Sequence, residues 1–369
     1  MAGIAISSRH VERIAREMGQ ELIRQRDDKV VQRRRRQLLA RVATAPAVAV
    51  VEIDGGRQRT REAGCGPGVH QPENKENKIA CLLNVRSEVQ PSDPQPQPPE
   101  AFLLPRRVQR LVQRMKGQAG ETVPEAAVAQ AESPEQVKDS AAKSRADPQR
   151  VRTCVASTQE SQAFGPMVAA EAQERNFYQA QRRAFVADGA AYNWTIQQGY
   201  FPDFEPIVDF MHVLCYIYLA SWASGATEAE RWSRYVAWLT SCWQGRVEEV
   251  IATLAAEQER LGVPGTDEEV ARSDPRKLVA EAVSYLRNNA GRMDYPRYRQ
   301  LGLPVTSSLV ESLVGEFNAR VKDRRKFWNR PGGAEPILQL RAAVLSEDER
   351  LERFFATRTG NRYRRRKAA

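Results

Sequence analysis

The sequence predicts an α/β protein whose sheet is interrupted by an all-α insertion. Short runs rich in Val and Ile, bounded by Pro, Gly or Asp, indicate buried strands and alternate with segments of helical periodicity. A long block, 216–289, then carries only helical patterns, and one further helical segment begins after it. Alternating strands and helices, followed by a helical block and a closing helix, are typical of a sheet domain with a helical insertion.

Length and charge limit the class of partner. The 369 residues are enough for two or three structural units. The 56 Lys and Arg residues exceed the 46 Asp and Glu residues, and the formal net charge is +10 at pH 7. This excess favours a polyanionic partner, most simply nucleic acid. A basic protein without such a partner stays open as the alternative.

Neither a membrane span nor a cysteine framework is expected. No run of apolar residues reaches the length of about 18 that a membrane span needs, and the N-terminal residues lack the apolar core of a signal peptide. We therefore expect a cytoplasmic protein. The five cysteines are scattered and include no CxxC pair. This favours buried thiols over a zinc ribbon or a disulfide framework.

The first part of the chain alternates helical and strand patterns. Apolar residues at helical spacing predict a helix over 8–42, and the arginines at 33–36 lie on its second half. These arginines suit a solvated helix end or a phosphate contact, and both interpretations stay open. The runs at 46–56, 77–87 and 150–157 predict three strands.

The segment between the second and third of these strands has a different composition. The Pro-rich stretch 90–100 should be extended and contact no core, because it offers no large apolar side chain. A basic helix is expected at 106–116, and 117–149 has the composition of a disordered segment. We therefore expect an insert at about 88–149 in the sheet domain.

The second half completes the sheet and supplies the helical block. A helix within 166–185 leads into the strand "AFVAD", which ends at residue 188. A helix at 190–198 precedes the strand "EPIVD", which ends at residue 209 and runs into another helix. Three tryptophans of the helical block are expected in the core, although stacking on bases stays open. They are Trp232, Trp238 and Trp243.

These patterns divide the chain into five parts. The last clear helical pattern begins in "PVTSSLVESLVGEFNARVKDRRKFW". The predicted organisation is a basic helical segment at 1–45, a sheet domain at 46–215, an all-α insertion at 216–300, a closing helical part at 301–345 and a basic tail at 346–369. Within this tail, residues 358–369 are expected to be mobile.

Two carboxylates end strands of the predicted sheet. Asp54 closes the first strand and Asp188 closes a later one, and the glycines Gly55 and Gly189 follow them directly. Open α/β sheets bind ligands at the carboxyl ends of their strands. Glycine permits a sharp turn and the close approach of a substrate. Alternatively, each Asp-Gly pair only makes a turn.

A third carboxylate, Glu311, lies on the closing helix. The apolar residues of this helix form one stripe that should pack on the sheet. They are Val310, Leu313, Val314, Phe317 and Val321. At about 100° per residue Glu311 falls at the edge of the stripe, and Glu316 falls on the opposite flank. Three carboxylates suit two Mg²⁺ or Mn²⁺ ions acting on a phosphodiester, but a solvated Glu311 is the alternative.

Four motifs in this order resemble the DDE transposases of bacterial insertion sequences. They are "EIDGG", "VADGAAYNW", "DFMHVL" and "LPVTSSLVESLVGEFNARVKDRRKFW". The resemblance is to the group called Kra-four, which is related to Mutator-like transposases, and it extends from about residue 7 to the C-terminus. It implies an RNase H-like catalytic domain in which Asp54, Asp188 and Glu311 are the catalytic triad and hold two Mg²⁺ or Mn²⁺ ions. It also implies that the strands ending at Asp188 and Asp209 are neighbours in the sheet.

The resemblance implies partners and accessory residues as well. The partners are the terminal repeats of the insertion sequence and target DNA, with the protein forming a homo-oligomer in the DNA complex at the bacterial nucleoid. Asp209 and His212 match the Cys/Asp-x-x-His motif of the family. The chain departs from the family at Thr306 to Ser308, in place of Gly-Ser-Gly, and at Asp323, in place of Gly. No upstream segment with zinc-type cysteines is recognisable, so a copy truncated at its N-terminus is expected.

A basic strip follows Glu311 along the closing helix. It is expected to bind the DNA flank of the scissile phosphate, whereas a solvated or acid-paired strip is the alternative. Its residues are Lys322, Arg324, Arg325, Lys326, Trp328 and Arg330. Two functions besides transposition stay open from the sequence: a decayed, non-catalytic DNA-binding remnant, and an RNase H-like nuclease without transfer activity.

Overall fold

The computed structural model describes residues 7–60, 73–116, 151–224, 227–265, 267–307, 315–317, 328 and 333–358. Within these ranges the protein has a mixed α/β fold with a five-stranded sheet, which confirms the predicted class. The strands are β1 (Val48–Thr60), β2 (Glu73–Val85), β3 (Arg152–Ser157), β4 (Arg182–Ala187) and β5 (Glu205–Val208).

Some helices pack against the sheet, and others form a separate helical layer. In chain order they are α1 (Ser8–Arg34), α2 (Pro105–Lys116), α3 (Ser161–Glu174), α4 (Ala191–Tyr200), α5 (Phe210–Ser224), α6 (Glu228–Trp243), α7 (Val247–Leu261), α8 (Pro275–Asn289), α9 (Tyr295–Gln300), α10 (Glu335–Leu345) and α11 (Arg350–Thr357). Short 3₁₀ helices cover Glu100–Phe102, Phe177–Gln179 and Ala290–Arg292.

The sheet combines an antiparallel meander with two parallel strands. Its order is β3-β2-β1-β4-β5. Strands β1, β2 and β3 are antiparallel neighbours, whereas β4 runs parallel to β1 and β5 runs parallel to β4. Parallel neighbours require crossover connections, and α3 and α4 lie in the crossovers that lead to β4 and β5. The expected adjacency of the strands that precede Asp188 and Asp209 is confirmed.

Helix α1 begins and packs through specific local contacts. The Ser7 hydroxyl caps it by accepting a hydrogen bond from the His10 main-chain N–H at 3.3 Å. The helix packs against α10 and α3, and Gly19 permits the close approach because a Cβ there would collide with the carbonyl group of Pro336. The helix ends at Arg34 rather than at 42, and Arg36 adopts a left-handed conformation with φ of 59°.

The helical layer formed by α5 to α9 has an aromatic core. Phe210, at the start of α5, packs edge-on against Trp243 and Tyr295 with ring centroids 4.7 and 4.9 Å away. Trp238 and Trp243 are buried, and Trp232 is half-buried against this core. The expected core position of the insertion tryptophans is therefore confirmed for the two buried ones.

The Pro-rich stretch 90–100 contacts the helical layer, so the expectation that it touches no core is wrong. The Asp93 carboxylate accepts hydrogen bonds from Arg299 at 2.8 and 2.5 Å. The Trp243 indole N–H donates to the carbonyl of Gln95 at 2.8 Å. These contacts use main-chain and charged groups, which is why the lack of large apolar side chains did not predict them.

The C-terminal part of the chain packs on the sheet domain over 346–358. Asp348 accepts a hydrogen bond from the Thr153 hydroxyl of β3 at 2.9 Å. Arg350 donates to Glu171 of α3 at 2.8 Å. Mobility was expected of residues 358–369, and it stays a prediction because residues 359–369 lie outside the described ranges.

The cysteines follow the prediction where they are described. Four of them are free and buried, namely Cys81, Cys154, Cys215 and Cys242. Cys65 lies outside the described residues. No helix in the described part of the chain is long and apolar enough to cross a membrane.

Candidate functional site

Three aspartates lie in one row across the sheet. Ile53 of β1 is in register with Ala187 of β4, and Ala187 is in register with Val208 of β5. The next residue along each chain is an aspartate, and these are Asp54, Asp188 and Asp209. Neighbouring strands lie about 4.8 Å apart, so the three residues start from adjacent positions on one face of the sheet.

Asp54 lies within β1 and not at its end. The pairing of β1 with β2 continues through Gly55 to Thr60, so the predicted strand end at Asp54 is wrong. Gly55 does not turn the chain. Its lack of a side chain instead admits the Glu76 carboxylate, because a Cβ at Gly55 would lie 3.0 Å from Glu76 Oε1. The hairpin therefore continues past the aspartates as a two-stranded arm.

The charges around Asp54 do not offset the effect of burial on its pKa. The pKa of Asp54 is raised to about 6, mainly by burial, and the nearby carboxylates of Asp188 and Asp209 act in the same direction. His212 and the N–H of Gly55, which donates to Asp54 Oδ1 at 2.7 Å, act in the opposite direction. The net result is a raised pKa despite the nearby His212 cation.

Asp188 directly follows β4, as the sequence predicts. Its Oδ1 accepts hydrogen bonds from the Ala190 N–H at 2.9 Å and from Asn193 Nδ2 at 2.8 Å. The first turn of α4 therefore fixes one oxygen of this carboxylate. Among the described residues, the Oδ2 atoms of Asp188 and Asp54 accept no hydrogen bond. Two carboxylate oxygens are thus available at adjacent positions.

The turn after Asp188 is fixed by helix α8. Gly189 has φ of 95°, and a Cβ there would lie 2.7 Å from the ring of Tyr285. The Tyr285 hydroxyl donates to the main-chain carbonyl of Asp188 at 2.9 Å. Asn289 donates to the carbonyl of Tyr285 and accepts from the Trp194 indole N–H at 3.1 Å. The sharp turn expected at Gly189 is confirmed, and only glycine fits it.

Asp209 and His212 form a buried pair at the start of α5. His212 Nδ1 lies 2.7 Å from Asp209 Oδ2. Burial lowers the pKa of His212, but the hydrogen bond to Asp209 and the carboxylates of Asp209, Asp188 and Asp54 overcome this and raise it to about 9. His212 is therefore a cation beside the aspartates at neutral pH. Asp209 is fully buried and uses both oxygens within the protein.

Asp209 also holds the segment that leads towards Glu311. Asp209 Oδ1 accepts a hydrogen bond from the Ser307 main-chain N–H at 2.8 Å. The N–H of Phe210 donates to the carbonyl of Val305 at 3.0 Å. Glu311 itself lies outside the described residues, so its expected convergence with Asp54 and Asp188 stays a prediction.

Three residues of the closing helix are described, and one of them belongs to the predicted apolar stripe. Residues 315–317 are helical, with Phe317 fully buried and Gly315 exposed. Glu316 lies 3.8 Å from Arg341 of α10. Glu316 is thus in an ion pair with α10, and the choice of Glu311 over Glu316 stays a prediction.

Three further polar residues border the aspartates. Lys78 Nζ lies 3.2 Å from Glu76 Oε2 and 5.4 Å from the ring centroid of Tyr192. The Tyr192 hydroxyl donates to Glu76 Oε1 at 3.4 Å. Burial and the nearby carboxylates of Asp188, Glu76 and Asp54 raise the pKa of Tyr192, so it stays protonated.

Sequence reasoning missed these residues for different reasons. Tyr192 and Asn193 follow Asp188 within one motif, so their proximity to a strand end was a usable signal. Glu76, Lys78 and Tyr285 have no local signal. The register of β1 with β2 and the packing of α8 bring them to the site.

The basic strip lies outside the described residues except for Trp328. The outside residues are Lys322, Arg324, Arg325, Lys326 and Arg330. Trp328 pairs with the end of β1, since its N–H donates to the carbonyl of Arg59 at 3.1 Å. Its side chain is half-buried against the core. The hairpin arm therefore holds one residue of the strip, and DNA binding by the strip stays a prediction.

Comparison with known proteins does not identify the chain. No protein-family model matches the sequence. No curated protein matches it significantly.

Proposed function

We propose that this chain is a DDE-type transposase, a metal-dependent enzyme that cleaves DNA at the ends of an insertion sequence and transfers the cut strands. One observation carries the proposal: Asp54 and Asp188 lie side by side on neighbouring parallel strands, with the pKa of Asp54 raised to about 6 by burial. Perturbed carboxylates of this kind are concentrated at functional sites. The placement of β4 between β1 and β5 supports an RNase H-like catalytic domain.

The donor set of the site fits Mg²⁺ or Mn²⁺. These ions prefer carboxylate oxygens, and the Oδ2 atoms of Asp54 and Asp188 would hold them. Such ions would supply an activated water or 3′-hydroxyl and would stabilise the leaving oxygen of a phosphodiester. Within the described ranges, no three His, Cys, Asp or Glu side chains are grouped to hold a metal ion. The proposal therefore requires a further ligand from outside those ranges.

Glu311 is the proposed further ligand. The Ser307 main chain is bound to Asp209, next to Asp188. Four residues lead from Ser307 to Glu311, and four residues span at most about 14 Å. Glu311 can therefore reach the row of aspartates without any rearrangement of the described residues.

The surrounding residues orient the two carboxylates. The N–H groups of Gly55 and Ala190 and the amide of Asn193 each occupy an Oδ1 atom. This leaves each Oδ2 directed to an ion or a substrate proton. Asp209 and His212 act through these residues as positioning groups, because Asp209 uses its oxygens within the protein while the His212 cation attracts both carboxylates.

Cleavage of DNA by an Asp188→Asn variant tests the proposal. The substrate is a duplex that carries the terminal sequences flanking the gene, incubated with Mn²⁺. We expect cleavage to fall by about a hundredfold or more, the scale of removing one electrostatic group from an active site. DNA affinity should change by less than about twofold, because it depends mainly on Lys and Arg. The matched control is Asp203→Asn, which alters an exposed aspartate between α4 and β5.

The outcomes separate the three functions. Cleavage at the wild-type rate by Asp188→Asn would remove this residue from the site. Cleavage without joining of ends to a target would identify a nuclease without transfer activity. Binding of DNA without cleavage by the wild-type protein would identify a non-catalytic remnant.

A further inference from the structure

Helix α2 has one buried apolar face and one exposed basic face. Val108 and Val112 are buried, and Leu111 and Met115 pack beside them. At about 100° per residue four arginines fall on the opposite face or on its flank. They are Arg106, Arg107, Arg110 and Arg114, and all of them are exposed. The helix contains no acidic residue of its own, so its outer side carries positive charge without a negative charge from the same helix.

The apolar face of α2 is already covered by the helical layer. Helix α2 packs against α5, and Cys215 Sγ of α5 lies 3.5 Å from Met115 Sδ. An amphipathic helix that binds a membrane inserts its apolar face between the lipids. Because the apolar face of α2 is occupied inside the protein, the exposed charge favours a polyanion over a membrane surface.

The packing also brings the end of α2 close to the aspartates. Cys215 lies three residues after His212 on α5, which is about 4.5 Å along the helix axis. His212 Nδ1 lies 2.7 Å from Asp209, and Asp209 and Asp188 directly follow the neighbouring strands β5 and β4. The end of α2 therefore packs on α5 about one helical turn after the residue that pairs with Asp209.

We propose that the outer face of α2 binds the phosphate backbone of the nucleic acid that enters the site. Arg106 and Arg114 are about 12 Å apart along the helix axis. Successive phosphates of one DNA strand are spaced about 3.4 Å along the duplex axis. The face can thus follow several consecutive phosphates, and it needs no base contact. This inference rests on the proposed function, and it adds a DNA-contact surface distinct from the basic strip that follows Glu311.

The test replaces Arg107 and Arg110 with Ala together. Both side chains are exposed, so the fold should be kept. The titrations use a fluorescent random-sequence duplex at several salt concentrations. Every protein carries Asp188→Asn, so that cleavage of the duplex does not distort the measured affinity. We expect R107A/R110A to weaken binding by about tenfold at moderate salt. We also expect the log–log salt slope to decrease by close to two, at about 0.9 for each phosphate that the variant no longer neutralises.

The matched control is R13A/R16A on α1. It removes the same charge at the same spacing from an exposed helix, but these arginines lie near Glu17 and Glu12 at 3.7 and 3.0 Å. We expect its affinity to stay within about twofold of the parent.

Each other result has a distinct meaning. Equal decreases in affinity in R107A/R110A and R13A/R16A, or no decrease in either, would overturn the inference while leaving the proposed function intact. A decrease in binding to anionic phosphatidylserine vesicles, with DNA affinity kept, would also overturn it and assign the face to membranes. No DNA binding by the parent protein would instead remove the proposed function.

Discussion

Carboxylates with shifted pKa values occur in two regions of this protein and have opposite electrostatic surroundings. Asp54, in the row of aspartates, has a pKa raised to about 6. Glu171, between α1 and α11, has a pKa lowered to about 2. Burial raises the pKa in both places. The difference arises because Glu171 has two cations in direct contact, whereas the His212 cation near Asp54 is paired with Asp209, and Asp188 adds a further negative charge.

The region around Glu171 neutralises its own charge. Lys29 Nζ lies 2.8 Å from Glu171 and 2.7 Å from Glu174. Arg350 lies 2.8 Å from both Glu171 and Asp348. These pairs join the first and last described helices to α3. We infer that this network is structural, and that the row of aspartates, which holds more carboxylates than the His212 cation can neutralise, is completed by an ion or a substrate.

The largest expected effect on stability is at Glu171. Glu171→Gln would leave Lys29 and Arg350 each with one carboxylate less, in a buried setting. We expect the free energy of unfolding to decrease by about 3 kcal/mol at pH 7, the lower end for breaking a buried pair. Denaturant unfolding measures it, and Glu249→Gln, at a 63% exposed side chain, is the control with an expected change below about 0.5 kcal/mol.

The pH dependence sharpens this prediction. A folded-state pKa below the unfolded value means that the ionised carboxylate contributes stability above pH of about 4.5. This contribution disappears as the pH falls towards 2. The difference between the wild type and Glu171→Gln should therefore vanish in acid. A constant difference across pH would mean that shape rather than charge is responsible.

The ion pair of Asp93 and Arg299 lies in a different region, and it tests whether neutralising a buried charge stabilises the fold there as well. Asp93→Asn would leave the guanidinium of Arg299, which is 7% exposed, without its carboxylate. We expect the free energy of unfolding to decrease by about 2 kcal/mol. Asp203→Asn, an exposed aspartate, should change little. An unchanged stability in Asp93→Asn would mean that this contact of the Pro-rich stretch contributes little to folding.

The difference between local and long-range contacts explains how much of the site the sequence could predict. Asp188 follows a short apolar run and precedes a glycine, and local chemistry is sufficient to place it after β4. Asp54 has the same local pattern, but the pairing with β2 continues through Gly55, and only the partner strand determines that. Contacts such as Asp93 with Arg299 or Tyr285 with the Asp188 carbonyl join distant parts of the chain. No periodicity or composition predicts them.

A smaller effect of opposite sign is expected at Asp54. A folded-state pKa above the unfolded value means that ionisation costs stability above pH of about 6 and costs nothing below about 4. Asp54→Asn removes this cost. Because solvent reaches the half-buried side chain, we expect a gain of about 1–2 kcal/mol at pH 8 and almost none at pH 4. A decrease in stability at pH 8 would show that Asp54 is neutralised like Glu171.

The smallest expected effect separates the two regions directly. If Asp54 and Asp188 hold Mn²⁺, the ion stabilises the folded state by about 1.4 kcal/mol at ten times its dissociation constant. For a chain of this size that corresponds to an increase in Tm of about 2 °C. The increase should be absent in Asp54→Asn and Asp188→Asn, because each lacks one carboxylate of the pair. It should persist in Glu171→Gln, whose lower Tm has a separate cause. Thermal unfolding with and without Mn²⁺ measures all four proteins under one condition. An equal increase in every variant would assign the effect to other surface carboxylates, and the row of aspartates would then be buried charge without an ion.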